Sequence, residues 1–77
     1  MISLDQAKPG MRLKVIQFPI GSEVSRRLME FGLFEGDFLR ILSVAPMGDP
    51  IELEFDSNRI SLRKSEVKGI LVDIVHE

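Results

Sequence analysis

Residues 51–63, with the sequence IELEFDSNRISLR, contain the most regular pattern in the chain. Apolar residues alternate with charged or polar ones in two runs, and the short polar segment between the runs is typical of a tight turn. A period of two places one face of each run in a core and the other face in water. The pattern therefore predicts a β-hairpin with one buried and one exposed face.

The turn of this hairpin is expected at Ser57-Asn58, because asparagine tolerates the positive φ that two-residue turns require. A turn at these residues pairs apolar residues with apolar ones and polar residues with polar ones. The expected pairs are Phe55 with Ile60, Leu53 with Leu62, Glu54 with Ser61, and Glu52 with Arg63. A slip of one residue would place Phe55 opposite Ser61, so we expect the pattern to fix the register.

Three further segments have the composition of strands. Residues 11–15 alternate apolar and basic side chains, and the phase changes at Val15-Ile16, which predicts a bulge, a bend or the end of the strand. Residues 38–45 are apolar on both faces, as in a central strand or one that curls around a barrel. The β-branched residues within 70–74 indicate a last strand.

These short strands and tight turns predict a mainly β fold, a small and partly closed β-barrel of about five strands, because closure removes exposed edges. A short helical insertion is expected at about residues 22–31, where Ser22 can cap the N-terminus and Gly32 can end the helix. Its apolar stripe consists of Val24, Leu28 and Phe31. A 3₁₀ or helical turn is expected at about residues 65–69.

Size and composition limit the classes of protein to which the chain can belong. Its 77 residues are enough for one domain, spanning 1–77. The chain has no cysteine, and residues 1–5 lack the basic start and apolar run of a signal peptide, so we expect a cytoplasmic protein. The net charge of −2 argues against nucleic-acid binding. The lack of an apolar run of roughly 18–20 residues argues against membrane insertion.

Residue types that carry catalysis are scarce in this sequence. There is no cysteine, and the single histidine, His76, lies next to the last residue, where chain ends are usually frayed. The loop at residues 46–50 has one glycine and no Lys-Ser or Lys-Thr pair, unlike a nucleotide-binding loop. We therefore expect a binding protein rather than an enzyme.

Four carboxylates fall in a short stretch and are candidate ligands for a hard divalent cation. They are Asp49, Glu52, Glu54 and Asp56. The alternative is the solvated face of the hairpin, because three of them alternate with apolar residues and Arg63 is the expected partner of Glu52. Ferrous iron or zinc would favour histidine or cysteine. We therefore expect no cofactor unless these carboxylates hold Fe²⁺ or another divalent metal.

Apolar residues outside the predicted helix stripe are candidates for a partner-binding surface. Met29, Leu33 and Phe34 surround the predicted helix end, and Met47 lies at the tip of the loop that precedes the hairpin. The alternative is that these side chains complete a small core. An exposed patch of this kind would bind another protein or a second copy of the chain, giving a homo-oligomer.

The order of the turn residues along the chain resembles that of the FeoA family. The similar segments are Leu4 with Lys8-Pro9-Gly10, Arg27-Leu28, Phe31-Gly32-Leu33, Glu35-Gly36-Asp37, residues 45–51 (APMGDPI) and residues 60–67 (ISLRKSEV). The resemblance extends from about Leu4 to Val75. The structural turns that it covers are Gly32, Gly36, Pro46, Gly48, Pro50 and Asn58. The last of these stands where such proteins commonly have glycine.

This resemblance implies an SH3-like β-barrel with a helical insertion. Members of the family are regarded as cytosolic accessory or regulatory factors of bacterial ferrous iron uptake, with no agreed enzymatic activity. The implied partner is the FeoB transporter, on whose cytoplasmic GTP-binding part such a protein would dock to modulate transport or GTP turnover. Two alternatives stay open: a metal sensor or chaperone that uses the four carboxylates, and a stand-alone relative of the SH3-like domain of metal-dependent repressors.

Overall fold

The alternating segments form an antiparallel sheet in the computed structural model, which describes residues 1–76. The elements are β1 (Ile2–Ser3), a 3₁₀ helix (Leu4–Gln6), β2 (Arg12–Gln17), α1 (Glu23–Glu30), β3 (Phe38–Val44), β4 (Ile51–Phe55), β5 (Asn58–Leu62), α2 (Lys64–Val67) and β6 (Leu71–Val75). The strand order is β1-β6-β2-β3-β4-β5, and every neighbouring pair is antiparallel. A mainly β fold with a short helical insertion is therefore confirmed.

Alternate residues of the strands supply the core. The side chains that are at most 4% exposed include Leu13, Val15, Leu39, Ile41, Ile51, Leu53, Phe55, Leu62 and Val72. The helices add Leu28 of α1 and Val67 of α2. Complete burial of an aliphatic or aromatic side chain contributes about 1.5–3 kcal/mol, so the period-two pattern is the main source of stability.

Two β-bulges lie where the strand patterns change phase. The pairing of β2 with β6 shifts between Val15 and Gln17, which confirms a bulge at the predicted position. The pairing of β3 with β4 shifts between Ile41 and Ser43. Beyond this second bulge Val44 packs against the core. The bulge therefore explains why β3 has apolar residues on both parities.

The hairpin turn lies one residue earlier than predicted. Positive φ angles occur at Asp56 (48°) and Ser57 (66°), so these two residues form the turn. Asn58 is the first residue of β5, and its assignment to the turn is wrong. The observed pairs are Phe55 with Asn58, Glu54 with Arg59, Leu53 with Ile60, Glu52 with Ser61, and Ile51 with Leu62.

This register differs from the predicted one by two residues. A shift of two keeps the same side chains on the same face, so the apolar pattern is satisfied in both registers. Only the backbone conformation of the turn distinguishes them. As a consequence, Glu52 lies opposite Ser61 and not opposite Arg63.

The two ends of the sheet are joined by the 3₁₀ helix and α2, which contact each other. The Leu4 N–H donates to the Ile70 carbonyl oxygen at 2.8 Å, and the Gly69 N–H donates to Ser3 Oγ at 2.9 Å. Leu4 and Val67 have no exposed surface. This junction closes the barrel in part without pairing of the two edge strands.

The sixth strand, β1, was not predicted. Its two residues pair with Val72 and Leu71 of β6. A strand of two residues is too short to show a period-two pattern. In residues 2–10 the sequence therefore predicts only the turn at Pro9-Gly10.

Helix α1 begins and ends as its sequence predicts. Ser22 is the N-cap, and its Oγ accepts a hydrogen bond from the Ser25 N–H at 3.2 Å. At the C-terminus Gly32 has φ 103°. Its N–H donates to the Met29 carbonyl oxygen at 3.0 Å, while the Leu33 N–H donates to the Leu28 carbonyl oxygen at 2.9 Å. These two bonds define a Schellman motif.

The Schellman motif also corrects two predictions about apolar residues. In this motif the residue after the glycine packs back against the last buried residues of the helix. Leu33 is accordingly 1% exposed, next to the buried Leu28. Phe31 is the C-cap and is 57% exposed, so it does not extend the buried stripe. The chain reverses before Phe31 can reach the core.

The remaining turn assignments agree with the structure. Residues 64–67 form the predicted helical turn, which begins one residue earlier and ends two residues earlier than the expected range of 65–69. Gly36 and Gly48 have positive φ angles, as turn glycines do. Pro46 and Pro50 lie in the loop that joins β3 to β4.

A Ser57→Gly substitution should stabilise the protein by about 0.5 kcal/mol, because serine at positive φ is strained and glycine is not. The partial offset is the larger conformational freedom that glycine has in the unfolded chain. Chemical denaturation measures the difference. Ser61→Gly, within β5, is the control and should destabilise by up to about 1 kcal/mol. Stabilisation by neither or by both substitutions would contradict the turn assignment.

A Gly32→Ala substitution should cost about 1 kcal/mol of stability. No heavy atom lies within 4 Å of an added Cβ, so the cost comes from the backbone conformation alone. Thermal or urea unfolding measures it. Glu30→Ala, in the regular part of α1, is the control and should change stability little. Equal effects at the two positions would show that Gly32 is not required as the helix cap.

Candidate interaction surface

An apolar groove lies beside α1, between the loops that precede and follow the helix. It has a volume of about 470 Å³ and is lined by Phe18, Pro19, Ile20, Gly21, Met29, Phe34 and Glu35. Ile20 is fully exposed, Phe34 is 52% exposed and Met29 is 36% exposed. Three large apolar side chains are thus directed to solvent in one place, and we refer to this surface as the apolar groove.

Two carboxylates fix the loops that form the groove. Glu35 Oε2 accepts a hydrogen bond from the Phe18 N–H at 3.0 Å, which connects the loop after β2 to the loop after α1. Asp37 Oδ2 accepts one from the Phe34 N–H at 2.9 Å. The first of these bonds is partly buried and the second is exposed. The first therefore matters more, because an unpaired donor costs more the further it is removed from water. The walls of the groove are therefore held at a defined separation.

The loop after α1 is also bound directly to the sheet. The Gly36 N–H donates to the Val15 carbonyl oxygen at 2.7 Å, and the Val15 N–H donates to the Asp37 carbonyl oxygen at 2.9 Å. Val15 itself is completely buried. The groove is consequently attached to the sheet at a completely buried residue, and its exposed side chains do not depend on a long free loop.

A second recess continues along α1 from the apolar groove. It shares Pro19, Gly21 and Met29 with the groove and extends to Arg26. On the far side of the helix, Arg27 Nη1 lies 3.5 Å from Glu66 Oε2, an ion pair that connects α1 to α2. Both partners are substantially exposed, so this pair adds little stability. Arg27 thus lies on the side of α1 that faces α2, whereas Met29 lies on the side of the groove.

The structure separates the four residues that the sequence predicted for partner binding. Met29 and Phe34 lie together in the apolar groove. Leu33 is buried and belongs to the core, which corrects its assignment to the surface. Met47 is 92% exposed in the loop between β3 and β4, but it does not line the groove.

Sequence reasoning missed Ile20, which is the most exposed apolar side chain of the groove. Ile16, Phe18 and Ile20 continue the alternation on the other parity, which predicts a bulge, a bend or the end of the strand but does not mark Ile20 as a surface residue. The signal that identifies Ile20 is its position between Pro19 and Gly21, since a large apolar residue enclosed by turn formers rarely lies in a strand.

The four carboxylates predicted as metal ligands have other roles. Asp49 Oδ1 accepts a hydrogen bond from the Lys64 N–H at 2.9 Å, at the N-terminus of α2. Glu54 Oε2 lies 3.7 Å from Arg59 Nε across the hairpin. Glu52 lies opposite Ser61, and Asp56 lies in the turn. Throughout residues 1–76, no three histidine, cysteine, aspartate or glutamate side chains form a group that could hold a metal ion.

The helices are short. Within the described part of the chain, none is both long and apolar enough to cross a membrane.

Comparisons with known proteins give a family and a fold. Residues 2–74 match the model of the FeoA domain. The FeoA-like protein of Clostridium acetobutylicum is 41% identical, with 99% of this chain and 88% of that chain covered and a TM-score of 0.86. FeoA of Chlorobium tepidum is 37% identical, with coverages of 97% and 71% and a TM-score of 0.87. The comparison with curated protein sequences found no match.

A third structure, FeoA of Stenotrophomonas maltophilia in complex with zinc, is 26% identical, with coverages of 95% and 91% and a TM-score of 0.74. That protein has been described as a prokaryotic SH3 domain protein and as a candidate activating factor of bacterial ferrous iron transport. The similarity confirms the SH3-like architecture of the sheet described above. The match over residues 2–74 and the 41% identity over almost the whole chain have one consequence: this protein belongs to the FeoA domain family.

Proposed function

We propose that this chain is a cytoplasmic accessory protein of ferrous iron uptake, which docks through its apolar groove on the cytoplasmic part of a FeoB-type transporter. Membership of the FeoA domain family supports the link to ferrous iron transport. The location of the docking site is inferred from the apolar groove. In this proposal iron is the cargo of the transporter, and the accessory protein does not hold it.

The groove has the properties of a protein-binding surface. Ile20, Met29 and Phe34 are large, and together they form a concave apolar patch on a small protein. Contiguous apolar surface of this kind marks interaction sites in soluble proteins, and aromatic residues and methionine are enriched in such sites. A chain of 77 residues has a small core. Large apolar side chains that stay outside this core do not contribute their burial energy to the stability of the fold.

The groove is organised before a partner arrives. Glu35 holds the Phe18 N–H, and the Schellman motif fixes the chain just before Phe34. A surface that is already in its binding conformation loses less entropy on association than a mobile loop does. Pre-organisation of the groove therefore favours binding with little rearrangement of this chain.

Modulation of transport follows from docking if the affinity differs between nucleotide states. A ligand shifts an equilibrium only by its difference in affinity for the two states. The accessory protein would therefore act as a ligand of the transporter, and hydrolysis of GTP would use the groups of the transporter alone. Whether it activates or restrains transport depends on which nucleotide state it binds more tightly.

The docking proposal predicts that Phe34→Ser weakens binding to the cytoplasmic part of FeoB about tenfold or more, since truncation of a central aromatic contact removes a large share of binding energy. Isothermal titration calorimetry with GDP and with a non-hydrolysable GTP analogue measures the affinity. Met47→Gln changes an apolar residue outside the groove that is more exposed than Phe34, and it should leave the affinity unchanged. Absence of wild-type binding in both nucleotide states at high micromolar concentration would reject the docking proposal. Equal effects of the two substitutions would reject the site.

Glu35 should act as a positioning residue of the groove. Glu35→Ala removes the acceptor of the Phe18 N–H and should weaken docking several-fold, whereas Glu35→Gln keeps an acceptor oxygen and should retain most of the affinity. The same titration measures both variants. Their thermal unfolding should be recorded beside it. If the two variants bind equally well, the hydrogen bond does not organise the groove.

A further inference from the structure

Strand β5 forms one edge of the sheet. It pairs with β4 on one side, and it is the last strand in the order. Asn58, Arg59 and Ser61 are exposed, and Ile60 is partly buried against the core. An edge strand presents backbone N–H and C=O groups that can pair with another strand.

The register of the hairpin determines which backbone groups point outward. In a two-residue hairpin, the residues that flank the turn exchange both backbone hydrogen bonds, and these are Phe55 and Asn58. Bonded pairs recur every second residue, so Ile60 and Leu62 also bond to β4. The N–H and C=O groups of Arg59 and Ser61 therefore point away from β4. Within residues 1–76, neither residue makes a backbone hydrogen bond outside the strand ladder.

This edge lacks the usual protection against pairing. Its five residues contain no proline, and the pairing of β5 with β4 shows no bulge. Other strands of the same sheet do carry bulges, in β2 and β3. Arg59 is the one charged residue in β5. A charge on an edge strand opposes pairing, and it does so most in a register that places it against a like charge.

Pairing of β5 with β5 of a second copy has three possible registers that use these outward groups. Two of them place like charges in direct opposition: Arg59 against Arg59, or Arg59 against Arg63. The third is centred on Ile60, with Arg59 opposite Ser61 of the second copy and Ile60 opposite Ile60. This register makes four backbone hydrogen bonds and opposes no like charges. It also continues the apolar row formed by Leu53 and Ile60 into the second copy.

We propose that two copies of this chain associate through antiparallel pairing of their β5 strands, with the two-fold axis at Ile60. The charges across the outer face of the joined sheet then run Glu54, Arg59, Ser61 of the second copy and Glu52 of the second copy. Arg59 thus lies between its own-chain partner Glu54 and a neutral residue. The interface consists of one pair of short strands, so the dimer is weak and depends on concentration. This inference does not rest on the proposed docking function.

Sedimentation equilibrium between about 10 µM and 1 mM tests the proposal, with β5 substitutions that alter charge at the interface. Ser61→Glu places a carboxylate opposite Arg59 of the second copy and should strengthen the dimer about tenfold, since two symmetry-related pairs gain. Ser61→Arg places two guanidinium groups in opposition and should weaken the dimer by a similar factor.

The stability of the monomer provides an internal control, because Ser61 lies opposite Glu52 in its own chain. Inside the chain Ser61→Glu is repulsive and Ser61→Arg is attractive, so unfolding measured at low concentration should change in the opposite direction to dimerisation. Phe34→Ser should not affect the dimer.

The expected result is thus a weak wild-type dimer that the two Ser61 substitutions change in opposite directions. A protein that is monomeric at all concentrations overturns the proposal. A dimer that responds equally to both Ser61 substitutions also overturns it. A dimer that Phe34→Ser disrupts does the same, since it would use a different surface.

Discussion

The backbone of Val15 connects the barrel to the groove, and the arrangement around α1 depends on it. Its N–H and C=O bond to Asp37 and Gly36, while on the other side of β2 it pairs with Val72. The chain before α1 and the chain after it are therefore fixed at the same buried position. The helix contributes Val24, Ser25 and Leu28 to the interior, a small area for an independent element. Without the hydrogen bonds of Val15, the segment that joins β2 to β3 and contains α1 would be attached to the sheet only by this small buried area.

The end of β2 shows how the loop beside the groove is held outside the sheet. After the bulge the ladder continues to Gln17, and the N–H of the next residue, Phe18, donates to Glu35 Oε2. Polar contacts thus hold the two loops apart while Ile20 and Phe34 stay outside the core. A purely apolar set of loops would gain from collapse onto the groove. The carboxylates of Glu35 and Asp37 therefore contribute to the shape of the groove through the backbone N–H groups that they bind.

The two interaction surfaces described above are spatially distinct. The apolar groove is formed by the loops that flank α1, next to β2 and β3, whereas β5 lies at the edge of the sheet beyond β4. Self-association through β5 therefore leaves the groove accessible. A dimer of this kind would present two grooves, and a partner with two sites would bind such a dimer more tightly than a single copy.

The sequence by itself determined the type of fold and most of its boundaries. Alternation in residues 51–63 predicted the hairpin, Ser22 and Gly32 predicted the ends of α1, and the phase change at Val15 predicted the bulge. These features are local, since each depends on residues close together in the chain. The tertiary structure decided the rest. It placed the hairpin turn at Asp56-Ser57, because a register shift of two residues leaves the apolar pattern unchanged.

Tertiary packing likewise decided which apolar residues reach solvent. Leu33 is buried and Phe31 is exposed because the Schellman motif reverses the chain at Gly32, and helical spacing alone cannot show this. Ile20 joins Met29 and Phe34 in one groove only because Glu35 connects two loops that are distant in sequence. The carboxylates of Asp49 and Glu54 bond to different parts of the chain, and residues 1–76 contain no group of three side chains that could hold a metal ion. Local patterns therefore determined the elements, and contacts between distant residues determined the surface.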